Sequence, residues 1–135
     1  MEARLCIARC GNVEDLNHLF LSCPSFGALW LLLRAWLGVK GVESQVISDH
    51  FLQFIHYVGD LKLRRSFFHL IWLLGVWVLW NDRNDRLFRN KQSSIPHMLD
   101  KVKSSSLWWL KTSNVAFSFG THNWWSNPLL CMGID

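Results

Sequence analysis

Residues 67–91 read FFHLIWLLGVWVLWNDRNDRLFRNK, and this run sets the architecture of the chain. From Phe67 to Trp80 the sequence is apolar almost all round, interrupted only by His69 and Gly75. A helix apolar on every side is buried in a protein core or in lipid. Fourteen residues rise about 21 Å as a helix, short of the ~30 Å hydrocarbon core of a bilayer. Arg64, Arg65 and Asn81–Arg83 would have to snorkel for the segment to span, so a core helix is the first expectation and a membrane helix over 67–80 the second. Beyond Trp80 the run turns polar at once. Asp82/Arg86 and Asp85/Arg89 are spaced i,i+4, which supports an exposed continuation of the same helix by a few tenths of a kcal/mol per pair. The pattern predicts one helix over about 61–90.

Shorter helices flank it. Phe26, Leu29, Trp30, Leu33 and Leu37 recur at helical spacing after Pro24, and Gly38 is the stop, giving a helix over about 24–37. Phe51, Phe54, Ile55 and Val58 form the stripe of a second helix over 46–58, capped by Ser44 or Ser48 and ended by Gly59-Asp60. Ser93-Ser94-Ile95-Pro96 reads as a cap and first turn. Ile95, Leu99, Val102, Ser106 and Trp109 then trace one face to about Lys111. From Thr112 onward Gly, Ser, Asn and Pro are mixed with Trp124-Trp125, and the stretch reads as irregular. The expected fold is mainly α: a small Cys3His metal-stapled N-terminal segment within 1–37, a region of helices over 38–111, and an irregular tail over 112–135.

The 135 residues include 9 Trp and 9 Phe, half the chain is hydrophobic, and the mean hydropathy is +0.13. That composition excludes a disordered tail and collagen-like or low-complexity classes, and the length leaves room for little more than one domain. The net charge of +4 is unevenly spread. Residues 61–103 carry 9 Lys/Arg against 3 Asp/Glu, whereas residues 1–60 carry 4 against 6. Such a basic strip either binds phosphate backbones or is a solvated helix face. The N-terminal sequence MEARLCIARCG has no apolar h-region, so a reducing nuclear or cytoplasmic setting is expected, where clustered cysteines point to metal before disulfides.

The cysteines and one histidine fall as Cys6-x3-Cys10-x7-His18-x4-Cys23. Three thiolates and an imidazole make a complete tetrahedral set for Zn²⁺, and a site filled by four protein ligands is structural. His18 and Cys23 lie about 140° apart on an ideal helix, so both ligate only if the helix ends or bends between them. Pro24 supplies such an end by disfavouring the α conformation at Cys23. The alternative is three buried thiols and a surface histidine. Cys131 is a lone thiol, and His50, His56, His69, His97 and His122 have no ligand-like spacing.

The segment LCIARCGNVEDLNHLFLSCPSFGALW (5–30) resembles the zinc-binding segment that follows the reverse transcriptase domain in plant non-LTR (LINE-type) retrotransposons. In that family a Cys pair is followed by an acidic linker, His-Leu-Phe, Cys-Pro and a Trp on the next helix. Here these are Cys6/Cys10, Glu14-Asp15, His18-Leu19-Phe20, Cys23-Pro24 and Trp30. The stretch 71–91 is similar to the family's Trp-x-x-Trp-x-x-Arg-Asn-x-x-x-Phe pattern through Trp77, Trp80, Arg83, Asn84 and Phe88. SLWWLK (106–111) and WWSNPLLCMG (124–133) look like its common C-terminal endings. The resemblance implies Cys6, Cys10, His18 and Cys23 as zinc ligands. The x3 spacing of the first pair departs from the more usual x2. Met1 lies only five residues before Cys6, which suggests a reading frame that starts inside the domain.

Reverse transcription needs a paired-Asp metal site, and the chain contains no Asp-Asp dipeptide; RNase H chemistry needs several convergent carboxylates, and only 10 scattered acidic residues exist. The expectation is a non-catalytic remnant of such a polyprotein. The resemblance implies an accessory contact with RNA or single-stranded DNA. Arg83, Arg86, Arg89 and Lys91, interleaved with Trp80 and Phe88, are the candidate contacts, against a plain reading as a surface helix end with Trp80 in the core. The other readings are a small membrane-associated protein built on 67–80 and a zinc-stapled protein-interaction module. A fragment of a larger protein should also expose some tryptophans and self-associate through them.

Overall fold

The structure is a computed structural model and describes residues 5–7, 15, 17–39, 46–56, 62–113, 121–126 and 128. Its described residues are mainly helical, with no β-strand among them. A π-helical turn at His18–Ser22 precedes α1 (Ala28–Leu37), α2 (Ile47–His56), α3 (Lys62–Phe88), α4 (Ile95–Ser113) and α5 (Thr121–Ser126). The mainly α expectation therefore holds. Cys10, Val58, Gly59, Asp60 and Cys131 lie outside the described residues.

Local chemistry explains most boundaries. Pro24–Gly27 form a turn closed by Gly27 N–H donating to the Cys23 carbonyl at 2.7 Å, so regular helix begins at Ala28 rather than at Pro24. Phe26, Leu29, Trp30, Leu33 and Leu37 are all buried, as their spacing predicts. Gly38 ends α1 in the left-handed region (φ 72°), a conformation that a side chain would strain. Ser94 Oγ accepts the His97 N–H at 3.2 Å and caps α4. Asn90 (φ 52°) turns the chain after α3, and the Lys91 N–H returns to the Asp85 carbonyl at 3.1 Å.

The core is built around Trp30, which is buried together with His50 and Phe54 of α2 and Phe68, Ile71 and Trp72 of α3. The Trp30 ring lies 4.6 Å from His50, 6.0 Å from Phe54 and 6.1 Å from Trp72. Each such ring pair adds roughly 0.5–1.5 kcal/mol beyond area burial. Trp72 Nε1–H donates to His50 Nδ1 at 3.0 Å, which satisfies both buried polar groups. Gly75 makes room for this cluster: a Cβ there would stand 2.9 Å from the tip of the Trp30 indole. That close approach offsets the ~1 kcal/mol that a mid-helix glycine costs.

Three expectations are corrected. α3 is not buried all round. It packs against α2 and α4, so Leu73, Trp77 and Trp80 (49%, 55% and 41% exposed) form a bare stripe. Trp109 leaves the buried face of α4, which instead runs through Met98, Val102 and Ser106. The stretch read as irregular contains α5, which is short but anchored. Trp124 is fully buried, its Nε1–H shared between the Lys103 carbonyl and Ser106 Oγ, each at 3.0 Å. Its ring meets Trp36 and Phe67 edge-on at 5.6 Å. Among the described residues no helix is long and apolar enough to cross a membrane.

Candidate metal centre

Between Asp15 and Cys23 the backbone is wound in a way that an α-helix would not allow. Asp15 starts the turn: its carbonyl accepts the Leu19 N–H at 2.8 Å, and its carboxylate accepts the His18 N–H at 2.7 Å. The chain then widens into a π turn, closed by Cys23 N–H donating to the His18 carbonyl at 2.7 Å. An i→i+5 bond places residue i+5 roughly over residue i, and π turns recur at functional sites. The roughly 140° offset of an ideal α-helix shrinks, and His18 and Cys23 come toward one side. Cys23 itself is extended (ψ 124°), the conformation that the following proline favours.

Cys6 approaches from the N-terminal segment. Its Sγ stands 3.7 Å from the Sγ of Cys23, far beyond the ~2.05 Å of a disulfide. Cys6, His18 and Cys23 are all buried, and one ligand atom from each lies within 4.8 Å of the others. These three residues are close enough to bind one metal ion. Cys10, expected as a further ligand, lies outside the described residues.

The site rests on the core through the same short turn. Trp30 Nε1–H donates to the Phe20 carbonyl at 2.5 Å, so the central core residue also holds the π turn. Asn17 Oδ1 accepts the Ile47 N–H at 3.0 Å and ties the turn to the start of α2. Gly27 passes beneath it: a Cβ there would meet the Leu21 and Cys23 carbonyl oxygens at 2.5 and 2.7 Å. Cys6, His18 and Cys23 and the helix break before Pro24 are legible in the sequence, but the π turn is not. The Asp15 cap and the Gly27 approach carried no signal in the spacing of the cysteines.

The four basic candidates are placed differently from one another. Arg86 is engaged twice, donating to Asp82 at 2.7 Å and lying 4.7 Å over the Phe26 ring. Asp82, only 2% exposed, also accepts the Ser93 N–H at 2.8 Å, so it fastens the end of α3 to the segment leading into α4. Arg89 pairs with Asp85 at 2.6 Å. Arg83 lies 5.0 Å over the Trp80 ring, and Lys91 is exposed. Trp80, which the plain reading places in the core, is 41% exposed and borders an open groove. No family model, curated protein or solved structure matches the chain.

Proposed function

We propose that this chain is a non-catalytic remnant of a LINE-type reverse transcriptase polyprotein that keeps its zinc-binding segment as a structural staple and contacts RNA or single-stranded DNA. The observation that carries this reading is the buried convergence of Cys6, His18 and Cys23. A tetrahedral Zn²⁺ with Zn–S of about 2.3 Å sets two thiolates about 3.8 Å apart, and the sulfurs stand at 3.7 Å. Cys10, four positions after Cys6, supplies the fourth ligand in this reading. Zinc bound there cross-links the N-terminal segment to the π turn, and four protein ligands leave no position for a substrate or an activated water. Asp82 and Asp85 are engaged by Arg86 and Arg89, which agrees with a structural rather than a catalytic use of these carboxylates.

Metal analysis of the purified protein tests the first half. About one zinc per chain is expected, lost in Cys23→Ser and Cys10→Ser, and a metal-free wild type under non-chelating conditions sinks the reading. A gel-shift titration with single-stranded RNA and DNA tests the second, with affinity expected to fall steeply with salt. A metal-stapled protein-interaction module is the second reading. It draws on the exposed indoles of Trp77, Trp108 and Trp109, and the same titration separates the two.

A further inference from the structure

α3 and α4 lie side by side and enclose an open groove of about 920 Å³. One wall is Leu73, Trp77 and Trp80, at i, i+4 and i+7 on α3; the other is Ser105, Trp108 and Trp109 on α4. No charged side chain lines it. Trp77, Trp108 and Trp109 are 55%, 65% and 52% exposed, so three indoles stand largely in water on facing helices. Cations flank the groove. Arg83 sits over the Trp80 ring, and Lys111 is exposed one turn beyond Trp108. At the Trp77 end the groove runs through Ser104 and Ser105 into a second, polar recess holding Arg89, His97 and Lys101 beside Asp85 and Asp100. Asp85 is already taken by Arg89.

We infer that this groove is a stacking site for single-stranded nucleic acid, with bases on Trp77, Trp108 and Trp109 and phosphates on the flanking cations Arg83 and Lys111. The inference rests on the nucleic-acid reading above and places the contact away from the Arg86/Arg89 helix end. The charge argues for a polyanion. The lining itself holds no charge of either sign, and the cations Arg83 and Lys111 flank it. In the recess beyond Trp77 the carboxylates Asp85 and Asp100 lie beside Arg89 and Lys101, Asp85 being paired with Arg89. Aromatic faces beside a positive border are how proteins hold unpaired strands without reading their sequence.

The test uses the full zinc-loaded chain, an oligonucleotide of about 12 thymidines or uridines, and tryptophan-fluorescence quenching. Wild type should bind and lose affinity steeply between about 50 and 200 mM salt. Trp77→Ala/Trp108→Ala should weaken binding at least tenfold, and Trp77→Phe/Trp108→Phe should restore most of it, because a phenyl ring still stacks. Both pairs sit on the surface, and circular dichroism checks that the helices remain. If wild type binds and the alanine pair binds equally well, the groove assignment falls while the nucleic-acid reading stands. If wild type fails to bind at the lower salt, both fall. A dimer on a sizing column that the alanine pair abolishes would mean a second copy covers the groove, and would also overturn the inference.

Discussion

A methyl group added at Gly27 would stand 2.5 Å from the Leu21 carbonyl oxygen and 2.7 Å from that of Cys23. Both are backbone atoms, so no rotamer change relieves the clash, and the atoms that must move belong to the turn holding His18 and Cys23. Gly27→Ala should destabilise the protein by roughly 1–3 kcal/mol, the usual cost of overpacking, and weaken metal retention in a chelator competition. Gly38 offers a control: a Cβ there meets nothing within 4 Å, and only its φ of 72° is strained. Gly38→Ala should cost roughly 1–2 kcal/mol in urea denaturation, the strain of a left-handed alanine, and leave metal affinity alone. A second residue-scale contrast lies on α3. Asp82 is buried and serves both Arg86 and the Ser93 N–H, whereas the Asp85–Arg89 pair is exposed. Asp82→Ala should cost about 3 kcal/mol, because it strands a largely buried guanidinium and an amide. Asp85→Ala should change stability by only a few tenths. Equal effects would refute the assignment of Asp82 as the tether.

At the scale of elements, apolar spacing and local punctuation decide what the sequence discloses. Helix existence was legible wherever apolar spacing met local punctuation: Gly38 after α1, and Ser94 before α4. Which stripe faces the core was legible for α1, whose four periodic residues are all buried along with Phe26 just before it, and not for the last turns of α4. There the choice of buried face depends on Trp124, a residue from a different element whose indole caps Ser106 and the Lys103 carbonyl. Long-range partners leave no periodic trace, so α5 read as loop and Trp109 as core. The metal turn was half legible for a related reason. Donor type and Pro24 are legible, but the contacts that Asp15, Gly27 and the Trp30 indole make with the i+5-bonded turn are not encoded in the spacing of the cysteines. Two outcomes follow for elements. Trp124→Phe keeps the ring contacts and loses the donor, and should cost about 1–3 kcal/mol by leaving the Lys103 carbonyl and Ser106 short of a partner. Trp124→Ala also empties the site and should cost about 3–5 kcal/mol. If the two variants unfold at the same urea concentration, α5 is held by the hydrogen bonds alone.

Over the whole molecule, aromatic residues serve two opposed ends. One set, centred on Trp30, Trp72 and Trp124, is buried and hydrogen-bonded and gives the chain a specific core. The other, on the outer stripes of α3 and α4, stands in water. A monomer's largest apolar patch is commonly functional, and here four partly exposed indoles with Leu73 border one groove. The native protein should therefore bind the dye ANS. Dye binding alone is ambiguous, since a molten globule also binds ANS, but a molten globule loses its near-ultraviolet circular dichroism. This chain should show both signals at once: strong near-ultraviolet bands from the fixed Trp30–Trp72 and Trp36–Trp124 pairs, and ANS fluorescence from the groove. Trp77→Ser/Trp108→Ser should remove most of the dye signal while leaving the near-ultraviolet spectrum and the urea midpoint within about 0.5 kcal/mol of wild type, as surface substitutions usually do. Dye binding that persists in that variant, or a wild-type near-ultraviolet spectrum already flat, would mean that the apolar surface comes from a loosened core and not from a groove between two fixed helices.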